Sequence, residues 1–229
     1  VRAMWGRQEP ERVELWCMLA LTFSTGVIDA AGYLGLDRVF TGNMTGNVVI
    51  LGMGLAGADD LPVVGPIVAL VAFIAGAAIA GRAGRGTASG WSGRTSLLLL
   101  LVTIALLAAA GLGAARESID AIDHNVLTAL LGLAMGVQAG AARAVGAKDV
   151  TTVVVTSTLV GLVYDSRLAG GNGGSPWPRR LLSVLLIGLG AWAGAHLVDL
   201  HFSWSVLLAA AVTAIVVVAG EVHRRARTA

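Results

Sequence analysis

Long apolar stretches, divided by short charged intervals, set the pattern of the chain. Residues 13–34, 62–81, 95–115, 125–142, 181–200 and 203–220 are each strongly apolar and near ~20 residues long, the length an α-helix needs to cross ~30 Å of hydrocarbon. The first is no mere cleaved leader, because similar stretches recur to the end of the sequence. Two more, 41–57 (TGNMTGNVVILGMGLAG) and 150–164 (VTTVVVTSTLVGLVY), are shorter and richer in Gly, Thr and Asn. The pattern predicts an all-α polytopic membrane protein. It has six transmembrane helices plus two short helical segments that are re-entrant, entering the membrane and leaving on the side they came from.

Composition agrees. Of 229 residues, 56% are hydrophobic and 13% charged, with a mean hydropathy of +0.79, where soluble domains carry roughly 25% charged residues. Little chain remains for a soluble domain. A net charge of +2 and a pI near 9.2 would suit nucleic acid, but the arginines fall between spans, where they set orientation. The partner implied is the lipid bilayer, with no nucleic acid. The single cysteine, Cys17, excludes an internal disulfide.

Charge also arbitrates topology. With both short segments re-entrant, one face holds Arg2, Arg7, Arg12, Arg82, Arg85, Arg94, Arg143, Lys148, Arg167, Arg179, Arg180, Arg224, Arg225 and Arg227, which is 14 of the 16 basic residues. Only Arg38 and Arg116 lie opposite, beside Asp37, Asp59, Asp60, Glu117, Asp120 and Asp123. If 41–57 spanned instead, the Arg82–Arg94 loop would change sides and the asymmetry would weaken. The positive-inside rule thus favours six spans with both termini cytoplasmic. A tilted short helix that does cross is the alternative.

Residues 1–115 and 116–229 resemble one another. Gly26-Val27 followed by Asp29-Ala30-Ala31 aligns with Gly136-Val137 followed by Ala139-Gly140-Ala141, and Met44-Thr45-Gly46-Asn47 with Val155-Thr156-Ser157-Thr158. Each half reads span, Thr-rich segment, span, span. An odd number of spans per half makes the second copy insert upside down, the inverted plan of many secondary transporters. Chance alignment of Gly/Ala/Val-rich helices is the bland alternative.

Asp29 is the only acidic residue well inside a span. A carboxylate at that depth costs several kcal/mol unless paired, hydrated or protonated, so it marks a functional site and suits proton coupling. Otherwise it caps or snorkels near a membrane boundary. In Thr41-Gly42-Asn43-Met44-Thr45-Gly46-Asn47 the Asn and Thr side chains offer donors and acceptors, and the glycines permit an unwound turn. Such backbone is tolerated at depth only when buried in protein or lining a cavity; Gly42-xxx-Gly46 also suits helix packing. In the second half Gln138, Thr151, Thr152, Thr156, Ser157 and Thr158 are the corresponding polar residues, and Arg143 reads as a cavity cation or a membrane anchor. The substrate or ion site expected between the halves comprises Asp29, Asn43, Thr45, Asn47, Gln138, Thr156 and Thr158.

Other features suggest less. The Gly132/Gly136/Gly140 ridge and Gly190-xxx-Gly194 read as tight packing or as a homodimer contact. His196, Asp199 and His201 are ligand types, but 201 does not share a helix face with the others and a site needs three or four converging groups. No metal and no cofactor are expected. Gly188-x-Gly190 follows no strand and is no nucleotide loop. Residues 170–176 form a flexible linker, and Trp5, Trp177 and Trp204 stand at span ends as aromatic belts do. No catalytic constellation is present, so the chain is not expected to be an enzyme.

Residues 26–34 (GVIDAAGYL) together with 40–48 (FTGNMTGNV) resemble the YoaK family, also called DUF1275, over essentially the whole chain. The resemblance implies a bacterial cytoplasmic membrane protein and brings no substrate with it. That family's second half usually carries Gly-x-Gln-Asn and Thr-Gly-Thr elements. Here Ala139 follows Gln138, and Ser157 stands between Thr156 and Thr158.

These readings converge on a transporter or channel for a small solute or ion. The rivals are a non-transporting partner subunit whose glycine faces bind other helices, and an intramembrane enzyme pairing Asp29 with His196.

Overall fold

Eight α-helices account for the predicted stretches among the described residues of the computed structural model, which are 8–58, 60–86, 90–116, 120–146, 155–165, 170 and 177–228. They are α1 (Gln8–Gly35), α2 (Met44–Leu55), α3 (Val64–Ala83), α4 (Gly93–Ala114), α5 (Ala121–Val145), α6 (Val155–Tyr164), α7 (Trp177–Leu200) and α8 (Phe202–Thr228). Six are long and apolar enough to cross a membrane; α2 and α6 are not. At about 1.5 Å per residue, the 12 residues of α2 and the 10 of α6 fall well short of the hydrocarbon thickness. Lys148, Thr151, Thr152, Arg167 and residues 171–176 lie outside the described residues.

Helix ends follow local chemistry. Ser92 and Thr95 form a reciprocal capping box on α4, satisfying orphan N–H groups that a helix start leaves open. Asp120 accepts from the backbone N–H of Ile122 and Asp123 to begin α5, and Gly146, left-handed at φ 69°, ends it.

α1 is the most enclosed span and α7 the least. α1 packs on α7, α8 and, more lightly, α5; α3 packs on α5, α4 on α5 and α8, α2 on α3, and α6 on α7. Polar side chains join these helices at depth: Ser24 of α1 meets Thr213 of α8 at 3.4 Å, and Gln138 of α5 donates to Thr25 Oγ1 of α1 at 3.1 Å. On α4, Leu98, Leu99, Val102 and Leu106 are buried while Leu97, Leu100, Leu101, Ile104 and Leu107 are exposed, as expected where the outer face meets lipid rather than water.

Two helix pairs approach to backbone contact. A Cβ placed on Gly26 would sit 2.1 Å from the Ile187 carbonyl oxygen, and one on Gly190 would sit 2.1 Å from that of Phe23. The other pair repeats this: Gly136 against the Phe73 carbonyl at 2.1 Å, Gly76 against that of Leu133 at 2.2 Å. The contacts Gly26–Ile187 and Ala30–Gly194 show α1 and α7 running the same way, and Ala69–Gly132 and Ala80–Gly140 show the same for α3 and α5. Both glycine ridges therefore pack within the chain, so neither is free to be the homodimer contact expected of it.

Hydrogen bonds and contacts fix the ends of the bundle. At one end Glu14 accepts from the backbone N–H of Trp91, Arg227 lies 3.6 Å from Glu14, and Gly90 donates to the Val145 carbonyl. Residues 14 and 227, near the two helical termini, share that end. At the other end the Phe202 ring packs against Gly35 and Gly113. The α1–α7 pair consequently runs opposite to the α3–α5 pair.

Candidate functional site

The chain turns back sharply after α1. Asp37 (φ 56°) and Arg38 (φ 59°) are both left-handed, a costly backbone state for side-chain-bearing residues. Gly32 admits the returning strand of chain, since a Cβ there would lie 2.6 Å from the Val39 carbonyl oxygen. Residues 39–43 then descend along α1 to Asp29, which lies six residues, or ~9 Å of rise, below Gly35.

Asp29 anchors the turn. Its Oδ1 accepts from the backbone N–H of Thr41 (3.1 Å), Gly42 (2.6 Å) and Asn43 (3.2 Å). Three donors that would otherwise be orphaned at membrane depth are thereby satisfied, which is what permits irregular backbone there. Asn43 caps α2 by accepting from Gly46 N–H. Asn47 closes the turn reciprocally: its Nδ2 donates to the Phe40 carbonyl at 2.6 Å and its Oδ1 accepts from Phe40 N–H at 2.9 Å. The segment leaves on the face it entered, because Arg38 Nη1 donates to the Asp60 carbonyl and the Val39 side chain abuts Gly65. Gly42-xxx-Gly46 is no helix–helix ridge; Gly46 accommodates the Phe40 ring of its own turn.

A cavity of about 610 Å³ opens between the two short helices. Thr25, Asp29 and Tyr33 of α1 line one wall, and Phe40, Gly42, Asn43, Met44, Thr45, Gly46, Val49 and Ile50 of the turn and α2 another; Val155 and Thr156 of α6 and Ile187 of α7 complete it. The Tyr33 and Phe40 rings are stacked, with centroids 4.9 Å apart. Asp29 Oδ2 makes no hydrogen bond among the described residues and is left to the cavity. The described lining contains one carboxylate and no Lys, Arg or His.

Of the seven expected site residues, Asp29, Asn43, Thr45 and Thr156 meet at this cavity. Asn47, Gln138 and Thr158 are buried away from it. Asn47 locks the turn, and Gln138 donates to Thr25, leaving its Oε1 without a partner among the described residues. Sequence reading missed Thr25, Tyr33 and Phe40. Thr25, Asp29 and Tyr33 stand four residues apart, so one helical face through Asp29 was the signal that would have found two of them.

The remaining candidates lie elsewhere. His201 accepts from Ser203 N–H at the start of α8, and exposed His196 packs edge-on against Trp192. Neither lines the cavity with Asp29. Arg143 is exposed in the last turn of α5, the position of an anchor.

Comparison with known proteins adds identity to this geometry. Residues 17–219 match the family described as "Protein of unknown function (DUF1275)". The chain is 34% identical over 155 residues to the UPF0700 transmembrane protein YoaK of Bacillus subtilis (strain 168), covering 67% of each chain. No solved structure matches. With a family match over nearly its whole length and that relative beside it, the chain belongs to the DUF1275 family of membrane proteins.

Proposed function

We propose that this protein is a transporter or channel for a small solute or ion, with its site in the cavity between α2 and α6. The observation that carries the reading is the free Oδ2 of Asp29 in a cavity walled by a re-entrant turn. Polar backbone and a carboxylate brought together at membrane depth are the usual furniture of a permeation or binding site. A volume of about 610 Å³ lies within the ~300–1,000 Å³ typical of small-molecule sites.

The two halves are an inverted repeat in this reading. Exchange of α1 with α5 and α3 with α7 carries the Gly26–Ile187 contact onto the Gly136–Phe73 contact, and the two pairs run in opposite directions. Transport by rocking of one half against the other is the mechanism this reading implies. The arginine-rich face is cytoplasmic, with both termini on it, in a bacterial inner membrane. A partner-subunit role is less favoured because the glycine ridges already pack internally, and catalysis because His196 does not join Asp29 at the cavity.

Proton coupling through Asp29 completes the proposal. Asp29→Asn keeps an oxygen that can accept the three N–H bonds and removes the charge. In proteoliposomes it should fold, insert and lose pH-dependent uptake. Unchanged pH dependence in a folded Asn variant would make Asp29 structural only.

A further inference from the structure

Resting on the assignment of this cavity as the solute site, we propose that its solute is a small organic cation, bearing a protonated amine or quaternary ammonium group.

Charge, aromaticity and ligand number all select for this class. The only charged side chain among the described lining residues is Asp29, whose Oδ2 is free. An anion would meet that carboxylate with no described cation to offset it. The turn and the first turn of α2 offer an anion little, because Asp29 Oδ1 takes the N–H groups of Thr41, Gly42 and Asn43, Met44 N–H donates to the Gly42 carbonyl, and Gly46 N–H donates to Asn43 Oδ1.

Tyr33 and Phe40 stack on one another in the wall of the cavity that Asp29 also lines. A ring quadrupole attracts a cation within about 6 Å, most strongly where water is excluded, and aromatic recognition of quaternary ammonium groups is its best-attested use. Met44, Val49, Ile50 and Ile187 supply apolar wall for methyl or methylene groups. Thr45 and Thr156 offer hydroxyls for a polar tail.

A bare metal ion fits worse. Divalent ions such as Ca²⁺ take about six to eight oxygen ligands. Here the carboxylate offers one free oxygen, Asn43 Oδ1 is engaged by Gly46 N–H, and Thr25 Oγ1 donates to the Leu21 carbonyl.

Three probes of nearly one shape separate charge from fit: choline, its neutral carbon isostere 3,3-dimethylbutan-1-ol, and the anion 3,3-dimethylbutanoate. Binding to the purified full chain in detergent is measured by calorimetry and by thermal stabilisation, with no flux required. Choline should bind at least ~10-fold more tightly than either analogue, the scale of a cation–π contact added to the attraction of a facing carboxylate. Asp29→Asn should erase that preference. Should Asp29→Asn fail to fold, the exposed Tyr33 position decides: Tyr33→Leu should weaken choline binding severalfold while Tyr33→Phe retains it. Equal binding of the three probes, preference for the anion, stronger binding of Na⁺ or Ca²⁺, or no choline binding into the high millimolar range would each overturn the proposal. Choline binding without flux of any solute would instead overturn the transport reading and leave the cation site standing.

Discussion

Asp29 has two jobs at two oxygens. Oδ1 holds three backbone N–H groups of the turn, and Oδ2 faces the cavity. Of the two sequence alternatives, Oδ1 realises the capping one, and the proposed function rests on Oδ2. Asp29→Ala should cost about 3 kcal/mol or more, because each orphaned buried donor costs roughly 1–3 kcal/mol, whereas Asp29→Asn should stay near the parent in thermal stability. Equal loss in both variants would contradict the split. Asn47→Ala removes both bonds to Phe40 and should destabilise by about 2 kcal/mol or more, read as a fall in melting temperature. The polar residues at depth were visible in the sequence. Which of them face the cavity was not, since Asn47 and Gln138 look as ligand-like as Asn43 until their hydrogen bonds to Phe40 and Thr25 are seen.

At the scale of elements, helix number and type were legible because apolar length alone separates the six spans from α2 and α6. The caps at Ser92 and Asp120 start α4 and α5 a few residues before the apolar stretches begin, a signal that apolar length does not carry. The partner of each glycine ridge was not legible, because a Gly-xxx-Gly face looks the same whether its neighbour lies in this chain or another. The structure puts Gly190 against the Phe23 carbonyl and leaves Gly188, two residues earlier, with open space around it. Gly190→Ala should therefore destabilise α1–α7 packing by about 1–3 kcal/mol, the usual effect of overfilling a close contact, and Gly188→Ala should not. Melting curves of the two variants in one detergent decide this. Equal melting temperatures would contradict the packing. Gly136→Leu should likewise deplete folded protein rather than convert a dimer to monomers, as size-exclusion chromatography would show.

For the whole molecule, the antiparallel disposition of the α1–α7 and α3–α5 pairs and the return of the chain after α2 to the face it left, where Arg38 meets Asp60, produce six crossings with the helical termini together. Cysteines at Ala58 and Ala115 should react with an impermeant thiol reagent in intact cells, and cysteines at Ser89 and Ala226 should not. Labelling at position 89 would contradict the re-entrant α2. The charge pattern anticipated this arrangement, but no composition could anticipate the cavity, which needs α2, α6 and α1 brought together. The account stands most directly on whether that cavity conducts. Flux of a panel of small cationic, neutral and anionic solutes should be measured in proteoliposomes holding the parent chain or Thr45→Trp, which fills the cavity from α2. The account predicts flux of at least one solute above protein-free vesicles and its loss in a folded Thr45→Trp variant; flux indifferent to that blockage, or none above empty vesicles, would contradict it.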